Sequence, residues 1–197
     1  MILTNLLKDK FAKNKPISLS ASLCFEQSYG MIDGDSASST EFYALLSAIG
    51  EVPIYQGIAV TGSVSQKGEI QPIGGVNHKI KGFFDICKHK GLNGKQGVMI
   101  PTKNIRNLML DQEVVDAVKE GKFHIWAVST VEEGIEILTG VPAGEKQPDG
   151  SFPENTVYRK VDDRLKKIAS IVKEYGATMG NGHKPEEQAA PSGCPQH

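Results

Sequence analysis

Cysteine is scarce. Three residues in 197, Cys24, Cys87 and Cys194, are too few and too far apart for a disulfide scaffold, and the odd number fits a reducing compartment. An excess of either charge is missing as well. The 22 Lys and Arg stand against 23 Asp and Glu, a formal net charge of −1, so no overall field draws the chain to nucleic acid or to an anionic membrane. No apolar run approaches the ~20 residues that span a bilayer. The start, Met1-Ile-Leu-Thr-Asn-Leu-Leu-Lys-Asp-Lys10, has neither the charged lead nor the small-residue cleavage site of a signal peptide. The expected location is therefore cytoplasmic, with no membrane partner. Metal patterns are thin: Cys87-Lys-His89 and Cys194-Pro-Gln-His197 do not supply the four paired ligands of a structural zinc, so no metal site is expected. A phosphate loop of the form G-x-x-x-x-G-K-[ST] is absent, because Gly91-Leu-Asn-Gly-Lys95 lacks both the spacing and the hydroxyl. No cofactor-binding residue is assigned to this chain. Basic clusters at Lys8–Lys15 and Arg164–Lys167 carry no interleaved aromatics, so nucleic acid is not an expected partner.

What is present is an ordinary soluble composition, 39% hydrophobic and 23% charged, in a length suited to one domain with an appendage. Leu3 to Lys15 has the spacing of a short amphipathic helix stopped by Pro16, its lysines on a solvated face. Ile17 to Phe25 alternates cleanly and predicts a half-buried strand. A Gly- and Asp-rich turn leads into a helix from about Ser38 to Ile49, ended by Gly50 and Pro53. Strand-like runs at Gly57–Val64 and Glu69–Ile73, joined by Ser65-Gln-Lys-Gly68, predict a hairpin. Gly74-Gly75 opens a second helix to about Lys90. A strand (Gly97–Pro101), a helix (Asp111–Glu120), a strand (His124–Ser129) and a helix (Val131–Leu138) follow. Interleaved helices and strands with an intervening hairpin give an α+β fold of mixed α/β layers. Residues 1–140 are expected to form the principal domain. Residues 141–176 form a linker or wrapping loop (Val141 to Pro153) plus a C-terminal helix (Val161 to Tyr175), and 177–197 have the polar, Gly/Pro-rich composition of a disordered tail.

Two places break the ordinary pattern. Asp33-Gly-Asp-Ser-Ala-Ser38 is a tight turn leading directly into a helix, which sets Ser36 beside unpaired backbone N–H groups and the positive end of the helix dipole. Those donors are suited to a developing oxyanion. The plainer alternative is a helix cap, since Ser38 followed by Glu41 fits a capping box. The second place is Lys79. At about 100° per residue it lies within roughly 60° of Val76, Phe83 and Ile86, whereas Lys81 and Lys88 project to the opposite side. A lysine on an apolar stripe either snorkels to the surface or buries its amine, and a buried amine is driven toward the neutral form that serves as a general base. A neutral lysine can activate a serine hydroxyl as a Ser–Lys dyad. Spacing alone leaves open whether Ser36 and Lys79 meet.

The stretches Asp33-Gly-Asp-Ser-Ala-Ser38, Ala59-Val-Thr-Gly62 and Gly68-Glu-Ile-Gln-Pro-Ile-Gly-Gly-Val-Asn-His-Lys79 resemble the proteolytic domain of Lon proteases, from about Ile17 to Leu138. In that family the serine of a D-G-x-S-A motif is the nucleophile and the lysine closing a G-G-x-x-x-K motif is its base. Ser36 and Lys79 match these positions, 43 residues apart as the family spacing requires. The Gly-Asp-Ser-Ala-Ser form is more similar to the B-type branch than to the Gly-Pro-Ser-Ala-Gly of the A-type enzymes. The resemblance implies the Lon proteolytic-domain fold and a serine endopeptidase with Ser36 and Lys79 catalytic. Thr61 would orient the lysine, and backbone N–H groups around Asp35 and Ser36 would be the oxyanion donors. It also implies polypeptide substrates, unfolded or damaged, and a hexameric ring. An AAA+ ATPase module in cis would use ATP and Mg, and this chain would start inside the usual domain. The carboxylates of Asp33 and Asp35 are not expected to be catalytic, because a carboxylate near the lysine would hold it charged. Ser63 stands where many members carry Glu, and His78 where Glu is common. Gly74 and Gly75 are expected to be backbone devices, and Glu132 and Glu133 to belong to a solvated first helical turn. The rival reading is a non-catalytic Lon-like scaffold for oligomerisation or interaction.

Overall fold

Alternating and helical periodicities assemble into layers in the computed structural model, which describes residues 2–13, 16–24 and 34–180, without the side chains of 176–180. The elements in chain order are α1 (Ile2–Phe11), α2 (Ser38–Gly50), β1 (Ile58–Val60), β2 (Ser63–Val64), β3 (Ile70–Gln71), α3 (Val76–Lys90) and β4 (Gly97–Pro101), then α4 (Gln112–Lys119), β5 (His124–Val128), α5 (Val131–Thr139) and α6 (Val157–Gly180). A 3₁₀ turn at Thr102–Asn107 follows β4. Strands β1, β4 and β5 form a parallel sheet in the order β1-β4-β5, while β2 and β3 pair separately as an antiparallel hairpin. Parallel neighbours need crossovers, and α3 and α4 supply them.

The middle strand β4 is buried along its whole length, and its alternation separates two cores. Val98 and Ile100 pack with Val76, Ile80 and Phe84 of α3 and with Val114 and Ala117 of α4. Met99 faces the other way, into a core built from Phe42, Tyr43 and Leu46 of α2, Val131 and Ile135 of α5, and Val161 of α6. The fold is thus mixed α/β, a small parallel sheet covered by helices on both faces. Helix α1 closes one end by burying Leu6, Leu7 and Phe11, and Phe11 meets Tyr158 edge-on with ring centroids 5.2 Å apart. Each such side chain contributes about 1.5–3 kcal/mol of apolar burial. Among the described residues, no helix is long and apolar enough to cross a membrane.

Several expectations change in three dimensions. Residues 17–24 take no place in either sheet, and Phe25 lies outside the described residues. Alternation marks a strand only where a neighbouring edge accepts its hydrogen bonds. Here Ile17 and Leu19 instead pack beside Leu3, Leu7 and Leu45, while Leu23 stays exposed. The run 57–64 divides into β1 and β2: after Thr61 N–H donates to Met99 O, the next ladder bond would need an N–H that Pro101 lacks, while Gly62 N–H, on the edge away from β4, donates to Ser36 O. Gly50 is the last residue of α2, and the left-handed cap that follows it is Glu51, at φ 52°. A Cβ on Gly50 would sit 3.1 Å from Val161 Cγ2, so this glycine lets α6 approach α2. Helix α6 begins at Val157, and Ala143 and Phe152 in the stretch before it join the core.

Two charged groups expected in solvent are structural. Lys10 Nζ and Tyr158 OH both donate to Glu132 Oε1, at 2.6 and 2.7 Å, tying α1 and α6 to α5. Burial raises the Tyr158 hydroxyl pKa far above its usual range, and the Glu132 carboxylate beside it adds to the effect. Glu133 Oε2 accepts from Ser129 N–H, while Thr130 Oγ1 accepts from Glu133 N–H at 3.3 Å, a reciprocal cap on α5.

Two glycines in helices have opposite surroundings. A Cβ on Gly134 would lie 1.9 Å from the wholly buried Tyr43 hydroxyl, whereas Gly82 faces open space. Gly134→Ala is expected to destabilise by about 1–3 kcal/mol through overpacking. Gly82→Ala should stabilise by roughly 0.5–1 kcal/mol, because alanine has less backbone freedom to lose. Urea unfolding of both variants checks the contrast.

Candidate active site

The run Asp35-Ser-Ala-Ser-Ser-Thr40 carries four hydroxyls, and each is engaged by a neighbour across the fold. Ser36 takes part through both its carbonyl and its side chain. Gly62 N–H donates to Ser36 O at 2.8 Å, and Thr61 Oγ1 donates to the same carbonyl at 3.3 Å. Ser38 Oγ accepts from Val64 N–H at 3.0 Å. Ser39, fully buried, donates to Gly62 O at 2.8 Å, and Thr40 donates to Val60 O at 3.3 Å. Residues 36–40 are thereby laced to residues 60–64 by backbone and hydroxyl groups in alternation. The capping box at Ser38 and Glu41 does not form. The N-cap position of α2 falls on Ala37 and has no side-chain cap, because the Ser38 hydroxyl is committed to Val64.

Lys79 arrives from the first turn of α3. Gly75, at φ 68°, takes the left-handed conformation that precedes this helix, and Lys79 N–H donates to Gly75 O. Gly74 is not in that region, so only one glycine of the pair meets the expected requirement. The turn is gripped by Asn104, a buried side chain from the 3₁₀ turn. Its Oδ1 accepts from Ile73 N–H at 3.0 Å, and its Nδ2 donates to Ile73 O at 2.9 Å. Asn77 does the same for the following loop, donating to Asn107 O and accepting from Met109 N–H. Helix α3 is therefore fixed at its start by two asparagines.

These two assemblies bring together residues far apart in the chain. Lys79 Nζ donates to Ser36 Oγ at 2.9 Å and to Thr61 Oγ1 at 3.1 Å. The Thr61 hydroxyl, having given its proton to Ser36 O, meets the lysine as an acceptor. Asp35 does not join this contact. Its carboxylate turns to the buried Ser63, whose Oγ donates to Asp35 Oδ2 at 2.8 Å, and among the described residues Lys79 has no ion pair. Asp33 lies outside the described residues.

The surroundings of Lys79 differ from the expectation. The buried stripe of α3 is Val76, Ile80, Phe84 and Cys87; Phe83 is half-buried, and Ile86 and Lys79 are exposed. The helix carries two overlapping apolar rows, and the sheet takes the one that excludes Lys79. Of the thin metal patterns, Cys87 points into the core, where burial pushes its thiol pKa up, while His89 is exposed two residues on. Cys194 and His197 lie outside the described residues. Sequence reasoning missed Ser39, Asn104 and the partners of Ser63. The hydroxyl run Ser38-Ser39-Thr40 at a helix start was a usable signal, whereas Asn104, in a loop residue pattern like any other, offered none.

Residues 30–140 match the family described as the Lon protease (S16) C-terminal proteolytic domain. A Lon protease homolog of Escherichia coli K12 is 54% identical over 138 residues, covering 70% of this chain and 24% of that protein. A Lon protease homolog of Haemophilus influenzae is 45% identical over 149 residues, 76% of this chain and 25% of that protein. The archaeal Lon protease of Thermococcus kodakarensis is 35% identical over 154 residues, 78% of this chain and 20% of that protein. The chain thus spans about a quarter of the length of the two Lon protease homologs. By the match over 30–140, which includes both laced segments and the lysine helix, this chain belongs to the Lon protease proteolytic-domain family.

Proposed function

We propose that this chain is a serine endopeptidase with a Ser–Lys dyad, Ser36 as nucleophile and Lys79 as general base. The observation that carries the reading is the 2.9 Å contact between Lys79 Nζ and Ser36 Oγ, made by residues 43 positions apart. A hydroxyl is a weak nucleophile until a base within hydrogen-bond reach can take its proton. In the reactive state the direction of the Ser36–Lys79 bond reverses. The neutral amine keeps an N–H on Thr61, whose own proton is committed to Ser36 O, and this aims the nitrogen lone pair at Ser36 O–H.

Ser36 Oγ then attacks the scissile carbonyl carbon as its proton passes to Lys79. The developing oxyanion lies near the backbone N–H groups of Asp35 and Ser36, beside the N-terminus of α2. Lys79, now an ammonium, returns the proton to the leaving amine, and the peptide C–N bond breaks to leave an ester on Ser36. A water molecule, deprotonated by Lys79, attacks that ester, and Ser36 recovers its proton as the acid product departs.

In this reading the chain is the proteolytic part of an ATP-dependent Lon-type protease acting on unfolded or damaged polypeptides in the cytoplasm. Its sequence contains no phosphate loop of the G-x-x-x-x-G-K-[ST] form, so ATP and Mg belong to an AAA+ module. A hexameric ring would shelter the dyads. The family match over 30–140 supports a catalytic unit lying within residues 1–140.

Cleavage of a fluorogenic peptide and of an unfolded protein tests the dyad. Ser36→Ala and Lys79→Ala are each expected to lose activity by about a thousandfold or more. Lys79→Arg should fail equally, because a guanidinium stays charged and cannot accept the proton. Undiminished turnover in any of the three, with the fold intact, would end the reading. Thr61→Val keeps size but removes the acceptor that aims the lysine. Its kcat should fall by up to about a hundredfold with little change in KM.

A further inference from the structure

We propose that Ser63 is a positioning residue that keeps the Asp35 carboxylate away from Lys79; this rests on the Ser–Lys reading above. The Ser63 side chain is buried in β2, with Oγ 2.8 Å from Asp35 Oδ2 and 3.3 Å from Gln71 Oε1. Gln71 is its register partner across the hairpin.

A serine hydroxyl has one proton to give, and an ionised carboxylate can only accept. The proton therefore belongs to Asp35. The contact with Gln71 is favourable only when the amide is turned by 180°, which puts its NH₂ where the oxygen stands and makes it donate to Ser63 Oγ. The relay then runs from Gln71 N–H to Ser63 O–H to the Asp35 carboxylate, each group donating to the next. The anion at its end makes both bonds stronger than neutral ones.

The relay matters because of where Asp35 sits in the chain. It precedes Ser36, whose Oγ already touches Lys79 Nζ. A rotation of the Asp35 side chain would bring its carboxylate toward the same amine, and an adjacent anion favours the charged form, which cannot serve as base. Thr61, Gly62 and Ser63 act as consecutive grips. The first two hold the Ser36 carbonyl, and the third holds the preceding side chain and its charge. The serine thus separates two functions of one turn, presenting the nucleophile and parking the carboxylate.

Steady-state peptide cleavage by the intact enzyme tests this with a double-variant cycle. Ser63→Ala is expected to lower kcat about tenfold with KM nearly unchanged. Asp35→Asn in the Ser63→Ala background should recover most of that loss, because the freed side chain no longer carries charge. A role limited to packing or to stiffening the turn predicts no recovery, since Asp35→Asn restores neither the lost side chain nor its bond. Gln71→Glu, at an exposed position that leaves the core undisturbed, covers the case in which Ser63→Ala fails to fold. Its carboxylate competes for the Ser63 proton, so it too should lose kcat and regain it with Asp35→Asn. Wild-type kcat in Ser63→Ala and Gln71→Glu, or losses that Asp35→Asn fails to relieve in folded variants, would overturn the proposal. If Ser36→Ala leaves cleavage unchanged, the dyad reading fails instead, which is a separate result.

Discussion

The lacing between residues 36–40 and 60–64 is the constraint on which the rest of the site depends. A serine at the entrance to a helix is ordinarily free to turn with its loop. Here its carbonyl is held by Gly62 N–H and the Thr61 hydroxyl, while the hydroxyls beyond it bind Val64, Gly62 and Val60. Each bond contributes only about 0.5–1.5 kcal/mol net. Their cumulative effect is geometric: two segments of the chain acquire a single register. That register also uses the open edge of β1, because the backbone donor of Gly62 faces away from β4 and is given to Ser36.

Bringing the lysine to this register is a problem of helix placement. Helix α3 lies on the sheet through Val76, Ile80, Phe84 and Cys87, and that contact fixes its axis and rotation. It leaves sliding along the axis, which the packing of smooth apolar side chains resists poorly. The two-point grip of Asn104 on Ile73 and the contacts of Asn77 with residues 107 and 109 remove that freedom. Buried amides are costly unless satisfied, so a satisfied Asn104 specifies one position of the helix over its neighbours. The 2.9 Å separation of Lys79 and Ser36 is the sum of these two independent anchorings.

How much was legible in the sequence follows the range of each interaction. Helices α2 to α5 and strands β4 and β5 lie within a residue or two of their expected limits, since periodicity and end signals are local. Residues 17–24 form no strand despite their alternation, because pairing needs a partner edge that the sequence does not name. Gly50 does close α2, but the left-handed cap is Glu51, and a glycine after an apolar stripe has two uses. Only the approach of Val161 from α6 shows which one applies. In the site, Ser36 and Lys79 were named from motif spacing, but the physical argument for the lysine was misplaced. Its apolar stripe is the minor one of two, and the row that packs leaves Lys79 exposed. The Glu132 contacts with Lys10 and Tyr158 were illegible for the same reason as Asn104: the partners lie 122, 26 and 31 positions away, and nothing local marks them.

Exposure of Lys79 has a consequence for how such a site could work. In the proposed reading, a side chain that acts on an unfolded polypeptide backbone has to be reachable by a substrate wider than any small-molecule cleft admits. Burying the amine inside the domain would orient it well and close it off. The arrangement here orients it from one side only. Ser36 and Thr61 supply two fixed partners, and among the described residues the lysine is otherwise exposed. The chain's own contribution is therefore direction, and exclusion of water falls to whatever covers that open side. An extended polypeptide lying across Ser36 would do both at once, presenting its carbonyl and displacing solvent from the lysine. In the proposed reading the hydroxyls of residues 36–40 and 61 are part of the chemistry even where they touch no substrate, because an exposed base is directed only by hydrogen bonds that do not move.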